Sequence, residues 1–282
     1  MVACLLSGSS AHAARSVDAE RRIGRAAAPM CVRSCAAQAS ASIEGMVIDS
    51  GTDVGGVLAG RRALVIGVET VAGSAIARAL AAAGVSLGLA TMRADEAVMV
   101  ARRLQREVQA AGGAATVYAF DVMLGQNVKV STRQVAKELG GLDLLVSAVD
   151  RPLDAPLERT TDSELASTFI ANCGAHLYAV RAALDEFRRA EGGRALLIVR
   201  DAGETGQPGA AAYAAAHGAT LALVRSLGEE LRGRGVGVDA LIVGEHDAPE
   251  AIGAAALALL AAPPTAPVGR IVHVNEVQDV TL

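Results

Sequence analysis

The sequence predicts a doubly wound α/β fold, a parallel sheet of seven strands with helices on both faces. Three observations carry that reading. From about residue 62 onward, short runs rich in Val, Ile and Leu recur along the chain. Those runs are apolar throughout rather than alternating, the pattern of strands buried on both faces. Longer stretches with helical spacing separate them, and strands alternating with helices build βαβ units whose crossovers cover a parallel sheet.

The first strand, Ala63–Ile66, ends at a glycine, and the helical pattern Gly73–Ala83 follows. Strand Val85–Ala90 leads to helix Asp95–Ala111. Strand Ala115–Phe120 is followed by helix Val128–Leu139, and strand Leu142–Ser147 by the long helical pattern Asp162–Ala190. Strand Ala195–Val199 precedes helix Ala211–Arg232, and strand Val236–Val243 precedes helix Ala248–Ala262. Arg270–Val274 closes the sheet. Ligands of such sheets bind beyond the carboxyl ends of the strands, where strand order reverses, so the residues just after each strand are the candidates for chemistry.

Composition narrows the partners. A net charge of −4 over 282 residues offers no basic field for a nucleic-acid backbone. The longest apolar stretch, Ala254–Ala262, falls short of the ~20 residues of a membrane span. Cys4, Cys31, Cys35 and Cys173 form no CxxC pair and have no histidine pair to complete a zinc site, so a reduced, cytoplasmic protein is expected. Residues 1–45 are rich in Ala, Ser and Arg and lack Lys. They fit an organellar transit peptide, a disordered tail, or translation upstream of a start at Met46. Residues 46–282 are taken as one domain.

The turn after the first strand carries Gly67 and Gly73 and opens a helix. Glycines there let backbone approach a pyrophosphate, and the helix end supplies free N–H donors. Val71 crowds that place and Glu69 adds a negative charge. On these residues two readings stand open, a weakened dinucleotide site and a tight strand-to-helix turn without ligand.

This segment resembles the TGxxxGxG turn of the short-chain dehydrogenase/reductase family, with Ile66 in place of Thr and Val71 in place of the middle Gly. The likeness extends from about Leu58 to Glu276 and rests on the order of motifs. It implies a Rossmann-like sheet and an NAD(P) site formed by Gly67, Gly73, Arg93, Asp121, Val122 and Ser147. Arg93 after the second strand, where an acid would favour NAD, weakly favours NADP. Asp121-Val122 matches the family's Asp-Val pair. Ser147-Ala148-Val149-Asp150 stands where the family has Asn-Asn-Ala-Gly.

The resemblance also implies a catalytic Asn, Ser, Tyr and Lys, in which Tyr donates the proton while hydride arrives from the nicotinamide. Asn172 and Tyr213 match. His217 stands at the Lys position and Arg200 at the Ser position. Arg200 either supplies the missing cation or pairs with Asp150 or Asp201, and His217 is open to a plain helix-capping role. After the sixth strand the family's substrate-closing loop is missing: Ile242-Val243-Gly244 is followed by Glu245–Ile252, a stretch that already resembles the next helix, with His246 and Asp247 too few for a metal site and Asp247 placed as an N-cap. A degraded catalytic site follows, in a subunit pairing with itself or with an active homologue through helices 162–190 and 211–232. The alternatives are an NADP-dependent carbonyl or enoyl reductase with Tyr213 as proton donor, and a nucleotide sensor without turnover.

Overall fold

In the computed structural model, β1 (Arg62–Ile66) and α2 (Val71–Ala82) form the first strand–helix unit, preceded by the short α1 (Val54–Leu58). The structure describes residues 54–263, 266 and 268–277. The expectations for residues 1–45 lie outside them. Then come β2 (Ser86–Thr91), α3 (Ala97–Ala110), β3 (Ala115–Ala119), α4 (Gly125–Leu139) and β4 (Leu144–Ser147). The second half runs α5 (Asp162–Phe169), α6 (Ala175–Arg189), β5 (Gly193–Arg200), α7 (Ala202–Thr205), α8 (Ala211–Glu230), β6 (Val236–Val243), α9 (Pro249–Ala261) and β7 (Ile271–His273).

The strands form one sheet in the order β3-β2-β1-β4-β5-β6-β7, every pairing parallel. Strand order therefore reverses between β1 and β4, and the crevice lies beyond their carboxyl ends. Side chains of β1 alternate between two cores. Ala63 and Val65 face Ile76 and Leu80 of α2, Leu104 of α3 and Ile252 of α9. Leu64 and Ile66 face Val128 and Val135 of α4, Phe187 of α6 and Val224 of α8. Continuous burial on both sides is why these strands carry no polar alternation. At the far edge, buried Asp239 on β6 holds Arg194 of β5 at 3.1 Å and Arg270 at 2.6 Å.

Three local features differ from the sequence expectation. The single helix 162–190 is interrupted by a π-helical turn, Ile170–Gly174. Its start is fixed by a capping box, with the Thr161 hydroxyl accepting the Glu164 amide and Glu164 accepting the Thr161 amide. The short α7 was not anticipated. Asp247 does not cap α9: its carboxylate accepts the Gly244 amide at 2.7 Å, while the N-cap residue is Ala248. The β6–α9 connection is the short turn 244–248. Among the described residues no cluster of metal-ligating side chains occurs and no helix is long and apolar enough to cross a membrane.

Candidate active site

The turn from β1 to α2 is built by its own chain. Gly67 has φ +85°, and a Cβ there would meet Ala148 O at 2.4 Å. A Cβ on Gly73 would meet Gly67 O at 2.1 Å. Both glycines are thus required by the turn itself, before any ligand. Thr70 caps the helix, accepting the Gly73 amide at 2.9 Å and donating to Gly67 O at 2.8 Å. That uses one amide at the helix start. Among the described residues, the amides of Val71 and Ala72 have no acceptor, so two donors remain for an anionic group. The Val71 side chain is 65% exposed at this end.

Glu69 reaches across the crevice. Its Oε1 accepts the Met92 amide, just past β2, at 2.7 Å, and its Oε2 is buried without a hydrogen-bond partner. Burial pushes its pKa up, partly offset by the amide bonds it accepts. Neighbouring Arg93 lies two-thirds exposed with Nε 3.6 Å from Asp95, a loose surface pair of little energetic weight. At the end of β3, the Asp121 carboxylate accepts the Met123 amide, while the Asp121 amide donates to Asn127. Val122 is buried, and its amide donates to Met92 O. Asp121 is thereby occupied as a turn residue on at least one oxygen.

Four of the singled-out side chains meet beyond β4 and β5. Tyr213, in the first turn of α8, donates its hydroxyl proton to Asp150 Oδ1 at 2.7 Å. One turn later His217 presents its ring edge-on to Tyr213, centroids 4.6 Å apart. His217 Nδ1 accepts the Arg200 backbone amide at 3.3 Å and so carries no proton there. Its Nε2 lies 3.7 Å from Asp150 Oδ1, near enough for attraction and too far for a hydrogen bond. His217 is fully buried in the middle of α8 and is not a helix cap. Arg200 corrects the sequence expectation of a pair with Asp150 or Asp201: among the described residues its guanidinium forms no ion pair, though its charge acts on Asp150 and Tyr213.

The electrostatics follow from this packing. Burial pushes the Tyr213 phenol far above its usual range, and the Asp150 charge and hydrogen bond push it further, against a smaller opposing pull from Arg200. For Asp150, burial disfavours the charged form, but interactions with His217, Tyr213 and Arg200 outweigh it and hold the carboxyl below its ordinary value. The result is a protonated tyrosine on an ionised carboxylate. A proton donor for a carbonyl needs the reverse, a phenol whose ionisation is eased.

Asn172 sits in the π-helical turn, a feature common at functional sites. Its side chain clamps the loop after β4, accepting the Arg151 amide and donating to Arg151 O, and its backbone carbonyl accepts the Thr220 hydroxyl at 2.9 Å. One turn on, His176 was not singled out from the sequence. It is fully buried, with Nδ1 2.8 Å from the Ser147 hydroxyl and Nε2 without a partner. Burial pushes its pKa down to about 3, so it is neutral. Ser147 therefore belongs to this buried polar cluster. The available signal was a histidine four residues after Asn172, on the same inward face.

A family model described as short chain dehydrogenase matches residues 61–252. The chain belongs to the short chain dehydrogenase family. Hydroxynaphthalene reductase of Aspergillus fumigatus is 29% identical over 184 residues, 65% of this chain and 66% of that protein. The 1-deoxy-11-beta-hydroxypentalenate dehydrogenase of Streptomyces exfoliatus is 30% identical over 194 residues, 67% of this chain and 68% of that one. The crystal structure of a dehydrogenase/reductase from Sinorhizobium meliloti 1021 superposes with a TM-score of 0.71 at 27% identity, covering 78% of this chain and 96% of that one. The seven-stranded Rossmann-like sheet is the architecture of these short chain dehydrogenases. The family generally binds NAD(P). In this member the glycine turn and its two unpartnered amides suit a pyrophosphate, while Glu69 and exposed Val71 alter the surroundings.

Proposed function

We propose that this short chain dehydrogenase has a degraded catalytic site and acts as a non-catalytic or weakly active subunit, pairing with itself or with an active homologue. The observation that carries the reading is the 2.7 Å hydrogen bond from Tyr213 to Asp150. It engages the family's proton donor with a carboxylate, where the family pattern has glycine. His217 uses Nδ1 as an acceptor and supplies no fixed cation beside the phenol. The short turn 244–248 leaves little to exclude water over a substrate. A pairing surface is suggested by Leu165, Phe169 and Leu177, which line one side of α5 and α6 and are 36–41% exposed.

The reductase names of the relatives keep a second reading in view, an NADP-dependent oxidoreductase acting on a carbonyl or enoyl substrate with Tyr213 as donor. The test is NAD(P)H consumption by the full chain over a panel of ketones, β-ketoesters and enoyl thioesters. Our reading expects turnover at or barely above background for the wild type, and a gain when Asp150→Gly, His217→Lys and Arg200→Ser are combined. Wild-type turnover that Tyr213→Phe abolishes and that the combined replacement does not raise sinks it in favour of the reductase.

A further inference from the structure

The mouth of the nucleotide crevice contains a carboxylate that the catalytic cluster does not use. A Rossmann-type site engages the adenosine ribose through an acid at the end of the second strand, which accepts from the 2′-hydroxyl. Thr91, Met92 and Arg93 provide none. Glu69 comes instead from the β1–α2 turn and is fastened to that strand end by the Met92 amide. Only one carboxylate oxygen is satisfied by this bond. Oε2 is buried and unpartnered, and an orphaned buried acceptor costs free energy until a donor meets it. The unpartnered Val71 and Ala72 amides lie on the same turn, two and three residues farther on.

We infer that Glu69 is a specificity residue that selects dinucleotides with a free adenosine ribose 2′-hydroxyl, so that this chain takes NADH in preference to NADPH. A sugar hydroxyl donates to the unpartnered oxygen. A 2′-phosphate is mostly doubly ionised at neutral pH and sets like charges against each other. Arg93, the residue placed to welcome that phosphate, is turned outward to Asp95. The elevated pKa of Glu69 agrees with a carboxylate short of donors. Nucleotide selection is separate from turnover, since none of Tyr213, Asp150 or His217 takes part in it.

The experiment is calorimetric titration of the full chain with NADH and with NADPH, without substrate. NADH is expected to bind at least about tenfold more tightly, equivalent to about 1.4 kcal/mol. Glu69→Gln keeps an oxygen for the Met92 amide and removes the charge, and is expected to shrink the preference to within about threefold. Equal affinities or an NADPH preference in the wild type overturns the inference. So does an unchanged ratio in Glu69→Gln, or no heat with either nucleotide at millimolar concentration. Because binding is read without catalysis, these outcomes do not depend on the turnover assay.

Discussion

Replacing Asp150 by Asn removes the charge facing Tyr213 while leaving an oxygen to accept its proton. In the wild type that bond is charge-assisted, worth about 1.5–3 kcal/mol against about 0.5–1.5 for a neutral one. The difference, about 1–1.5 kcal/mol, favours the protonated phenol only while Asp150 is ionised. At about 1.36 kcal/mol per unit, removing the charge should lower the Tyr213 pKa by about one unit. Burial, the first cause of the elevation, persists, so the phenol stays above its ordinary value. The chain has three tyrosines and no tryptophan, so alkaline absorbance titration reads tyrosinate without interference. Subtracting the Tyr213→Phe curve isolates one group, and circular dichroism confirms the fold at each pH. A Tyr213 curve that moves by less than about a third of a unit, or moves upward, refutes the claim that Asp150 holds this phenol protonated.

Three further outcomes are expected. His176 is neutral in the fold, with a pKa near 3 against about 6.5 unfolded. Unfolding in acid therefore takes up a proton, and stability should be fully present above pH ~6.5 and fall below it as the pH approaches 3. His176→Gln should flatten that part of a urea-denaturation profile, and an unchanged slope would remove His176 as its source. Gly73→Ala drives a methyl against Gly67 O and should cost about 1–3 kcal/mol or more, measured by thermal unfolding. A fully stable variant would mean the turn is looser than described. Phe169→Glu with Leu177→Glu should lower the sedimenting mass of the full chain if the exposed stripe on α5 and α6 is a pairing surface. An unaltered mass with unaltered fold would speak against it.

The fold was readable in the sequence because burial on both sides of the sheet leaves a one-dimensional trace. Runs such as Ala195–Val199 and Val236–Val243 need no knowledge of their neighbours to be seen as strands. The positions of Tyr213, Asn172, His217 and Arg200 followed from motif order along that frame. What they bond to did not. Tyr213 and Asp150 are 63 residues apart, and Asp150 registered only as a charge near the crevice. For Arg200 the spacing left open a free cation and a pair with Asp150 or Asp201. A side-chain partner depends on rotamer and strand register, which spacing along the chain does not encode. Glu69 was likewise seen as a charge beside the phosphates, whereas the fold turns it sideways to the end of β2. The π-helical turn went unread because Asn172 and Gly174, both weak helix formers, mark a weak point in the helix without saying what form it takes.

That widened turn absorbs one residue more than a regular helix would hold, so α6 keeps the azimuth it would have without it. Elsewhere in the rod an added or lost residue rotates everything beyond it by about 100°. Removing one residue within 170–174 would instead straighten the rod and leave His176 facing Ser147 and Phe187 against the sheet. What it would lose is the placement of Asn172, whose side chain clamps Arg151 and whose carbonyl takes the Thr220 hydroxyl. The extra residue thus serves the loop after β4 rather than the packing of α6, and a one-codon loss there should spare the fold while freeing that loop.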